Sequence, residues 1–300
     1  MGRRMADNSE EFIKADNPWK SEDDFVCPIP EKIFDDKAEW LLKKDADDIH
    51  AFNDRNKDKP DFKFELGMRP EPFNGNPLKA KVIILSLNPG YILRVNNLFA
   101  KVLQTTEPKD IQEAVKEQKD KQLRLEAESF FCQRNSQDGD LVSYREAHCM
   151  LDDWYWYDIF NKFLIEAKEA NYLPIDYSLD KIFDNIALVQ YVGYMSKSWK
   201  DLPNILPSQE FTRKLIHYLA QKTDVLFIIS RSEDKWKNLI GDKVWNTLES
   251  QERLVHRKKY DVKNKNGKEY KVTIRTQHFS QAAFDGDGFK IIADKFKSLQ

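Results

Sequence analysis

The sequence has few of the features that mark disulfide-stabilised or membrane proteins. Its 300 residues include only three cysteines, an odd number without CxxC spacing, which argues against a disulfide scaffold and against a thiolate metal site. No apolar run approaches the roughly 20 residues that a bilayer span needs. Residues 1–11 also lack the apolar stretch of a signal peptide. We therefore expect a cytoplasmic protein with no membrane partner.

The chain also lacks an excess of charge of either sign. Lys and Arg number 48 and Asp and Glu number 50, for a formal net charge of -2, so bulk charge does not draw the molecule to nucleic acid. Any nucleic-acid surface must be local. Neither GxxxxGK[ST] nor GxGxxG occurs, which argues against nucleoside triphosphate chemistry. With 41% hydrophobic residues, however, the chain can bury a sizeable core.

Four short apolar runs, each bounded by polar or turn residues, indicate strands. The first three are continuous, which is typical of strands buried on both faces, whereas the fourth alternates and predicts an edge strand with one exposed face. Segments rich in helix formers separate the first three runs. The runs are residues 81–87, 185–191, 224–230 and 270–276, and the helical segments are residues 110–128, 154–171 and 208–222.

Alternating strands and helices predict parallel strands joined by crossovers, with helices on both faces of the sheet. We therefore expect an α/β fold, a three-layer α/β/α sandwich around a central four-stranded, mainly parallel sheet. Residues 1–65 carry scattered aromatics among charges and are predicted to form an N-terminal extension that wraps the sheet. Residues 66–300 form the main domain, with a charged helical insert at about 104–143. We expect a monomer.

The residues that follow each run are the candidates for function, because ligands bind at the carboxyl ends of parallel strands. Asn88-Pro89-Gly90 follows the first run and combines a fixed proline φ with a permissive glycine. On its own, this tripeptide is more typical of an ordinary strand-ending turn.

The upstream context adds a resemblance to a known family. Residues 69–77 (RPEPFNGNP), then a strand, then Leu87-Asn88-Pro89-Gly90-Tyr91 together resemble the uracil-DNA glycosylase superfamily, nearest its mismatch-specific, Asn-Pro-Gly-bearing branch. Gln277-His278-Phe279-Ser280 is similar to that superfamily's second motif, with phenylalanine where proline is usual. The resemblance covers roughly residues 66–290 and implies a metal-independent, monofunctional enzyme that flips a base out of DNA and hydrolyses its N-glycosidic bond.

The same resemblance implies roles for two catalytic residues. Asn88 would orient the attacking water; an amide can do this but, unlike the Asp of some relatives, cannot supply charge to the developing sugar cation. His278 would donate a hydrogen bond to the base oxygen as negative charge grows on the leaving group. A capping or core histidine is the alternative for His278.

Position alone suggests the residues that would contact the base and the phosphates. Tyr91 or Phe99 would stack on the base and Gln190 would read its edge, although a buried Gln can equally satisfy backbone groups and Phe99 can equally belong to the core. The predicted phosphate contacts are Ser196, Lys197, Arg231 and Ser280, with an ordinary solvated loop as the equal alternative for residues 194–200. We assign Trp236 and Trp245 to the core.

No cofactor is predicted. Asp152, Asp153 and Asp158 offer carboxylates, but no histidine or further carboxylate has convincing ligand spacing beside them, so the sequence predicts no metal site.

Three functions remain open at this point. The first is a DNA N-glycosylase that hydrolyses the bond to uracil or to a modified pyrimidine. The second is a non-catalytic nucleic-acid-binding module that recognises an unusual base or a DNA end. The third is an enzyme that acts on free nucleosides, which would be nearly indifferent to salt, whereas DNA binding weakens as salt rises.

Overall fold

The computed structural model describes residues 10–27, 39–66, 70–89, 155–256, 260–263, 269–272 and 288–299. Its helices are α1 Glu10–Asp16, α2 Ala46–Arg55, α3 Tyr155–Glu169, α4 Leu179–Phe183, α5 Gln209–Gln221, α6 Glu233–Ile240, α7 Asp242–Ser250 and α8 Gly288–Lys297. Its strands are β1 Phe25–Cys27, β2 Glu39–Leu42, β3 Phe73–Asn74, β4 Val82–Ser86, β5 Ile186–Gln190, β6 Leu226–Ile229, β7 Leu254–His256, β8 Tyr260–Lys263 and β9 Glu269–Val272.

The central sheet is mixed and has five strands in the order β3-β5-β4-β6-β7. Strands β5, β4, β6 and β7 are parallel, and β3 runs antiparallel to β5 at the edge. The three continuous apolar runs of the sequence are β4, β5 and β6, and residues 154–171 and 208–222 contain α3 and α5, so these predictions are confirmed. The predicted helix at 110–128 and the insert at about 104–143 lie outside the described residues.

The prediction that residues 270–276 form the fourth strand of the central sheet was wrong. Within residues 270–276, the described part belongs to β9, which pairs with β8 in a separate two-stranded antiparallel sheet. The fourth parallel strand is β7, which has only three residues and follows the charged Glu252 and Arg253. A strand this short gives no apolar run to detect. The guanidinium of Arg253 is buried there and donates to the carbonyls of Val225, Ala220 and Lys222.

Strand β3 lies within residues 69–77 and brings that segment onto the sheet. Phe73 pairs with Val189 and Asn74 with Leu188, so the sheet has a fifth strand that a two-residue element could not reveal in the sequence. Gly75 follows with a φ of +80°, and a Cβ there would lie 2.7 Å from the Ile186 carbonyl oxygen. Only glycine fits this turn without strain.

Buried side chains alternate between the two faces of the sheet, as expected for strands covered on both sides. On one face, Leu85 and Phe227 pack in the same cluster as Leu215 of α5; α6 and α7 lie on this side, the α5 face. On the other, Ile84 and Ile228 pack with residues of α3, α4 and α8; this is the α3 face. Trp236 and Trp245 are buried on the α5 face, which confirms their assignment to the core.

The N-terminal segment packs into the same core cluster as the sheet. Trp19, Phe25 and Trp40 are buried and lie in the cluster of the α5 face. Trp40 contacts Phe25 edge-on at 5.4 Å, and Trp19 contacts Tyr194 at 5.6 Å, ring centroid to ring centroid. Among the described residues, no helix is long and apolar enough to cross a bilayer.

Candidate active site at the carboxyl end of the sheet

Polar side chains end the three neighbouring strands β5, β4 and β6. Ser86 is paired with Gln190 in the register, and Leu85 pairs with Ile229, so Ser86 also lies beside Ser230. Because side chains alternate along a strand, Gln190, Ser86 and Ser230 all belong to the α3 face. They form a polar row where that otherwise apolar face reaches the carboxyl end of the sheet, which is the usual ligand position in parallel sheets.

Gln190 supplies an unsatisfied hydrogen-bond acceptor to this row. Its side chain is 6% exposed, and Oε1 has no hydrogen-bond partner within the described part of the chain. A buried, unpaired amide oxygen costs about 1–3 kcal/mol, so native proteins rarely keep one without a ligand or a role. Gln190 is the last residue of β5, where the sequence placed it, and its role in reading a base edge stays a prediction.

Asn88 lies two residues beyond the end of β4 and is held through one end of its amide. Nδ2 donates to the Ser196 hydroxyl at 2.9 Å, to the Pro89 carbonyl at 3.1 Å and, more weakly, to the Tyr194 carbonyl at 3.5 Å. These acceptors fix which end is nitrogen. Within the described residues, Oδ1 makes no hydrogen bond. It can accept one from a water.

Ser196 holds Asn88, which corrects its prediction as a phosphate contact. The side chain is 3% exposed, and its hydroxyl donates to the Ser198 carbonyl at 3.0 Å while accepting from Asn88. A buried hydroxyl that already makes two hydrogen bonds is not available to bind a phosphate at the surface. The sequence shows Ser196 in a polar stretch but carries no signal that its side chain turns inward.

Ser196 belongs to the site loop, residues 191–199, which is held by backbone hydrogen bonds on both sides. Tyr191 N donates to the Ser86 carbonyl at 3.0 Å and Val192 N to the Leu87 carbonyl at 2.7 Å, so the loop continues the pairing of β5 with β4. From the other side, Glu71 N donates to the Gly193 carbonyl at 2.8 Å and Glu65 N to the Met195 carbonyl at 2.9 Å.

A buried carboxylate also fastens the loop. Asp45 is 0% exposed; its Oδ2 accepts from the Tyr194 hydroxyl at 2.7 Å and its Oδ1 from Ser208 N at 2.9 Å. Burial raises the pKa of Asp45, and the hydrogen bonds from Ser208 and Tyr194 oppose that rise. Burial and the nearby Asp45 charge raise the pKa of the Tyr194 hydroxyl as well, so it remains a donor. Asp45 and Tyr194 thus link the N-terminal segment to the site loop, and sequence reasoning missed both.

Two lysines near the site loop are engaged in surface ion pairs. Lys197, a predicted phosphate contact, is exposed and pairs with Asp61 at 2.9 Å. Lys235 pairs with Asp201 at 2.8 Å, and Trp199 Nε1 donates to the same carboxylate at 2.7 Å. Hydrogen bonding to Lys235 lowers the pKa of Asp201. Arg231 is partly exposed just after β6.

Four predicted site residues cannot be placed. Tyr91, Phe99, His278 and Ser280 lie outside the described residues, as do Gly90 and the carboxylates of Asp152, Asp153 and Asp158. The residues that the structure brings to the carboxyl ends of adjacent strands are therefore Asn88 and Gln190, with Ser196 behind Asn88.

Three further residues converge on the α5 face and were not expected from the sequence. Glu233, Glu249 and His256 each offer one ligand atom, and these three atoms lie within 4.8 Å of one another. They come from α6, α7 and β7, and no short sequence motif links them.

No family model, no curated protein and no solved structure matches the chain.

Proposed function

We propose that this chain is a DNA N-glycosylase that flips uracil or a modified pyrimidine out of DNA and hydrolyses its N-glycosidic bond. The observation that carries the proposal is the pair of carboxamides at the carboxyl ends of β4 and β5. Asn88 and Gln190 each present a carbonyl oxygen that no described residue binds, one partly exposed and one buried. The helices on both faces of the sheet support a three-layer α/β/α sandwich, the fold that the resemblance implies.

Gln190 is suited to read a base edge. Its buried Oε1 needs a donor, and the imide N–H of uracil or a related pyrimidine is a neutral donor of the right kind. Ser86, beside it, and Ser230, one strand further along the same face, add hydroxyls and no charge. A neutral, hydrogen-bonding heterocycle fits this row better than a phosphate does, because nothing in the row compensates a negative charge.

Asn88 is suited to orient the nucleophile. With Nδ2 bound to three protein oxygens, the amide plane is fixed, and Oδ1 accepts a hydrogen bond from a water directed at the anomeric carbon. The amide carries no charge to stabilise the sugar cation, so catalysis is slower or more selective than with a carboxylate. The proposed step needs no metal and no cofactor.

DNA would reach this site across the surface that carries Lys197. The Lys197–Asp61 ion pair is exposed, and such pairs contribute only about 0–1 kcal/mol, so a backbone phosphate can replace Asp61. Trp199, partly exposed in the site loop, offers a ring for an unstacked base.

Base release measured by mass spectrometry tests the proposal. Wild type, Asn88→Ala and Asn185→Ala would be incubated with DNAs that carry uracil, mismatched uracil or modified cytosines, some of them bulky. Asn185 is the matched control because its side chain caps α4 at the opposite, amino end of β5. We expect release of one base by wild type and Asn185→Ala, and none by Asn88→Ala.

Two other outcomes would decide against this function. Tight binding of a DNA without release of any base would favour the nucleic-acid-binding module. Release from free nucleosides but not from DNA, unaffected by salt, would favour the nucleoside enzyme.

A further inference from the structure

We propose that Glu233, Glu249 and His256 form a binding site for a divalent transition-metal ion such as Zn²⁺. The inference is independent of the glycosylase proposal, because the three side chains lie on the α5 face and the polar row lies on the α3 face. It assigns a role to the only group of three or more potential ligands with this geometry in the described part of the chain.

The imidazole of His256 lies between the two carboxylates. Nδ1 is 3.2 Å from Oε2 of Glu233, and Nε2 is 3.7 Å from Oε1 of Glu249. Ligands bound to a tetrahedral zinc at about 2.0–2.2 Å lie roughly 3.3–3.6 Å from one another. One ligand atom from each of the three residues lies within 4.8 Å of the other two, so binding needs the three groups to draw closer. An ion binds only one ring nitrogen, so the carboxylate that faces the other nitrogen must rotate, and Glu249, whose side chain is 43% exposed, lies at the surface where it can do so.

Rigid neighbours hold the ligand positions. The ring of His256 contacts the buried Trp245 edge-on, with 5.9 Å between centroids, and His256 ends a strand that pairs with β6. Glu233 begins α6 directly after Ser232, whose left-handed φ of 55° sets the turn from β6 into the helix. Three consecutive elements thus bring one ligand atom each into a small volume, which favours a preorganised site.

The donor set selects the type of ion. An imidazole nitrogen with two carboxylates suits zinc and its first-row neighbours, whereas magnesium and calcium take oxygen ligands almost exclusively. The two carboxylates bring two formal negative charges, which a divalent cation neutralises. With three protein ligands, a fourth position would remain for water. Bound there, the ion would join α6, α7 and β7 and stabilise the β7 edge of the sheet.

Calorimetric titration of the full chain with Zn²⁺, repeated with Co²⁺ and followed by visible absorption, tests this site. Wild type should bind one ion with a Co²⁺ spectrum of nitrogen and oxygen ligands, and binding should raise the melting temperature. His256→Ala and Glu249→Gln should each weaken binding by at least about tenfold. Glu249→Gln changes an exposed group, so it guards against a folding defect in His256→Ala, which circular dichroism would show.

His50→Ala is the matched control, since His50 lies beside Glu39 at 3.3 Å in an exposed pair remote from β7 in the chain. Its affinity should equal that of wild type. The proposal is overturned if wild type binds no ion, if His256→Ala and Glu249→Gln bind as wild type does, or if His50→Ala removes the binding instead. None of these readouts depends on base release, so a failure of the glycosylase proposal would leave this test intact.

Discussion

The amide nitrogen of Asn88 donates to the hydroxyl of Ser196 across 2.9 Å, joining the end of β4 to the loop that follows β5. This bond leaves Oδ1 of Asn88 as the end of the amide that can meet a water. The orientation of the proposed catalytic group is thus set by a buried serine 108 positions further along the chain.

Removing the Ser196 hydroxyl should therefore impair turnover more than binding. In Ser196→Ala, Asn88 loses the acceptor of its shortest hydrogen bond, so its amide can rotate. Misplacement of a catalytic group by about 1 Å can lower a rate about 100-fold. We expect a single-turnover rate of base release about 10–100-fold lower, with DNA affinity within about twofold of wild type. Ser250→Ala, which alters an exposed serine of α7, is the control. An equal loss of affinity and rate would mean that Ser196 only supports the fold.

The raised pKa of Asp45 predicts that the difference in folding stability between wild type and Asp45→Asn depends on pH. A group whose pKa is higher in the folded state contributes stability below its unfolded pKa, and that contribution is lost as pH rises through the folded pKa. The substitution removes this titration. The stability of wild type relative to Asp45→Asn should thus fall as pH rises above about 4, the ordinary pKa of aspartate. Urea unfolding of both proteins at a series of pH values upward from about pH 4 measures it. A constant or widening difference would contradict the buried carboxylate.

Gly75→Ala should destabilise the fold through a clash at the start of the segment that follows β3. The added Cβ would lie 2.7 Å from the Ile186 carbonyl oxygen, and the φ of +80° is unfavourable for alanine. We expect a loss of roughly 1–3 kcal/mol in the free energy of unfolding. Gly241→Ala separates the two causes, because Gly241 has a φ of +82° and nothing within 4 Å of its Cβ position. If both variants lose the same free energy of unfolding, the close approach to the Ile186 carbonyl contributes nothing to the loss.

Lys197 and Asp61 should affect DNA affinity in opposite directions. Asp61→Asn releases Lys197 from its ion pair and should tighten DNA binding. Lys197→Ala should weaken binding and lower the slope of log affinity against log salt by about 0.9, one phosphate contact. Fluorescence polarisation at several salt concentrations measures both, with Lys79→Ala, in the turn before the amino end of β4, as the control. Unchanged affinity in both variants would mean that DNA does not bind at the surface around Lys197.

The strands at the centre of the sheet could be predicted because each is a run buried on both faces, such as Ile83 to Leu85 with neighbours on either side. The two edges could not be predicted. Phe73–Asn74 and Leu254–His256 contain two and three residues, too few to form a pattern, and their places depend on pairing with distant strands. The alternating run at residues 270–276 showed strand character but not which sheet it joins.

The site was predictable where position along a strand decides the role. Asn88 and Gln190 follow from the rule that ligands bind at the carboxyl ends of parallel strands. The inward direction of Ser196 and the link from Asp45 to Tyr194 depend on contacts 108 and 149 positions apart, which no local pattern encodes. The convergence of Glu233 and Glu249 on His256 is likewise a product of the fold.

The most direct test of the proposed function is the single-turnover rate of base release by Asn88→Ala, measured on the DNA that wild type cleaves best, with affinity followed in parallel. If Asn88 orients the attacking water, the rate should fall by about 100-fold or more while DNA affinity stays within about twofold of wild type and of Asn185→Ala. Base release by Asn88→Ala at the wild-type rate would contradict the account.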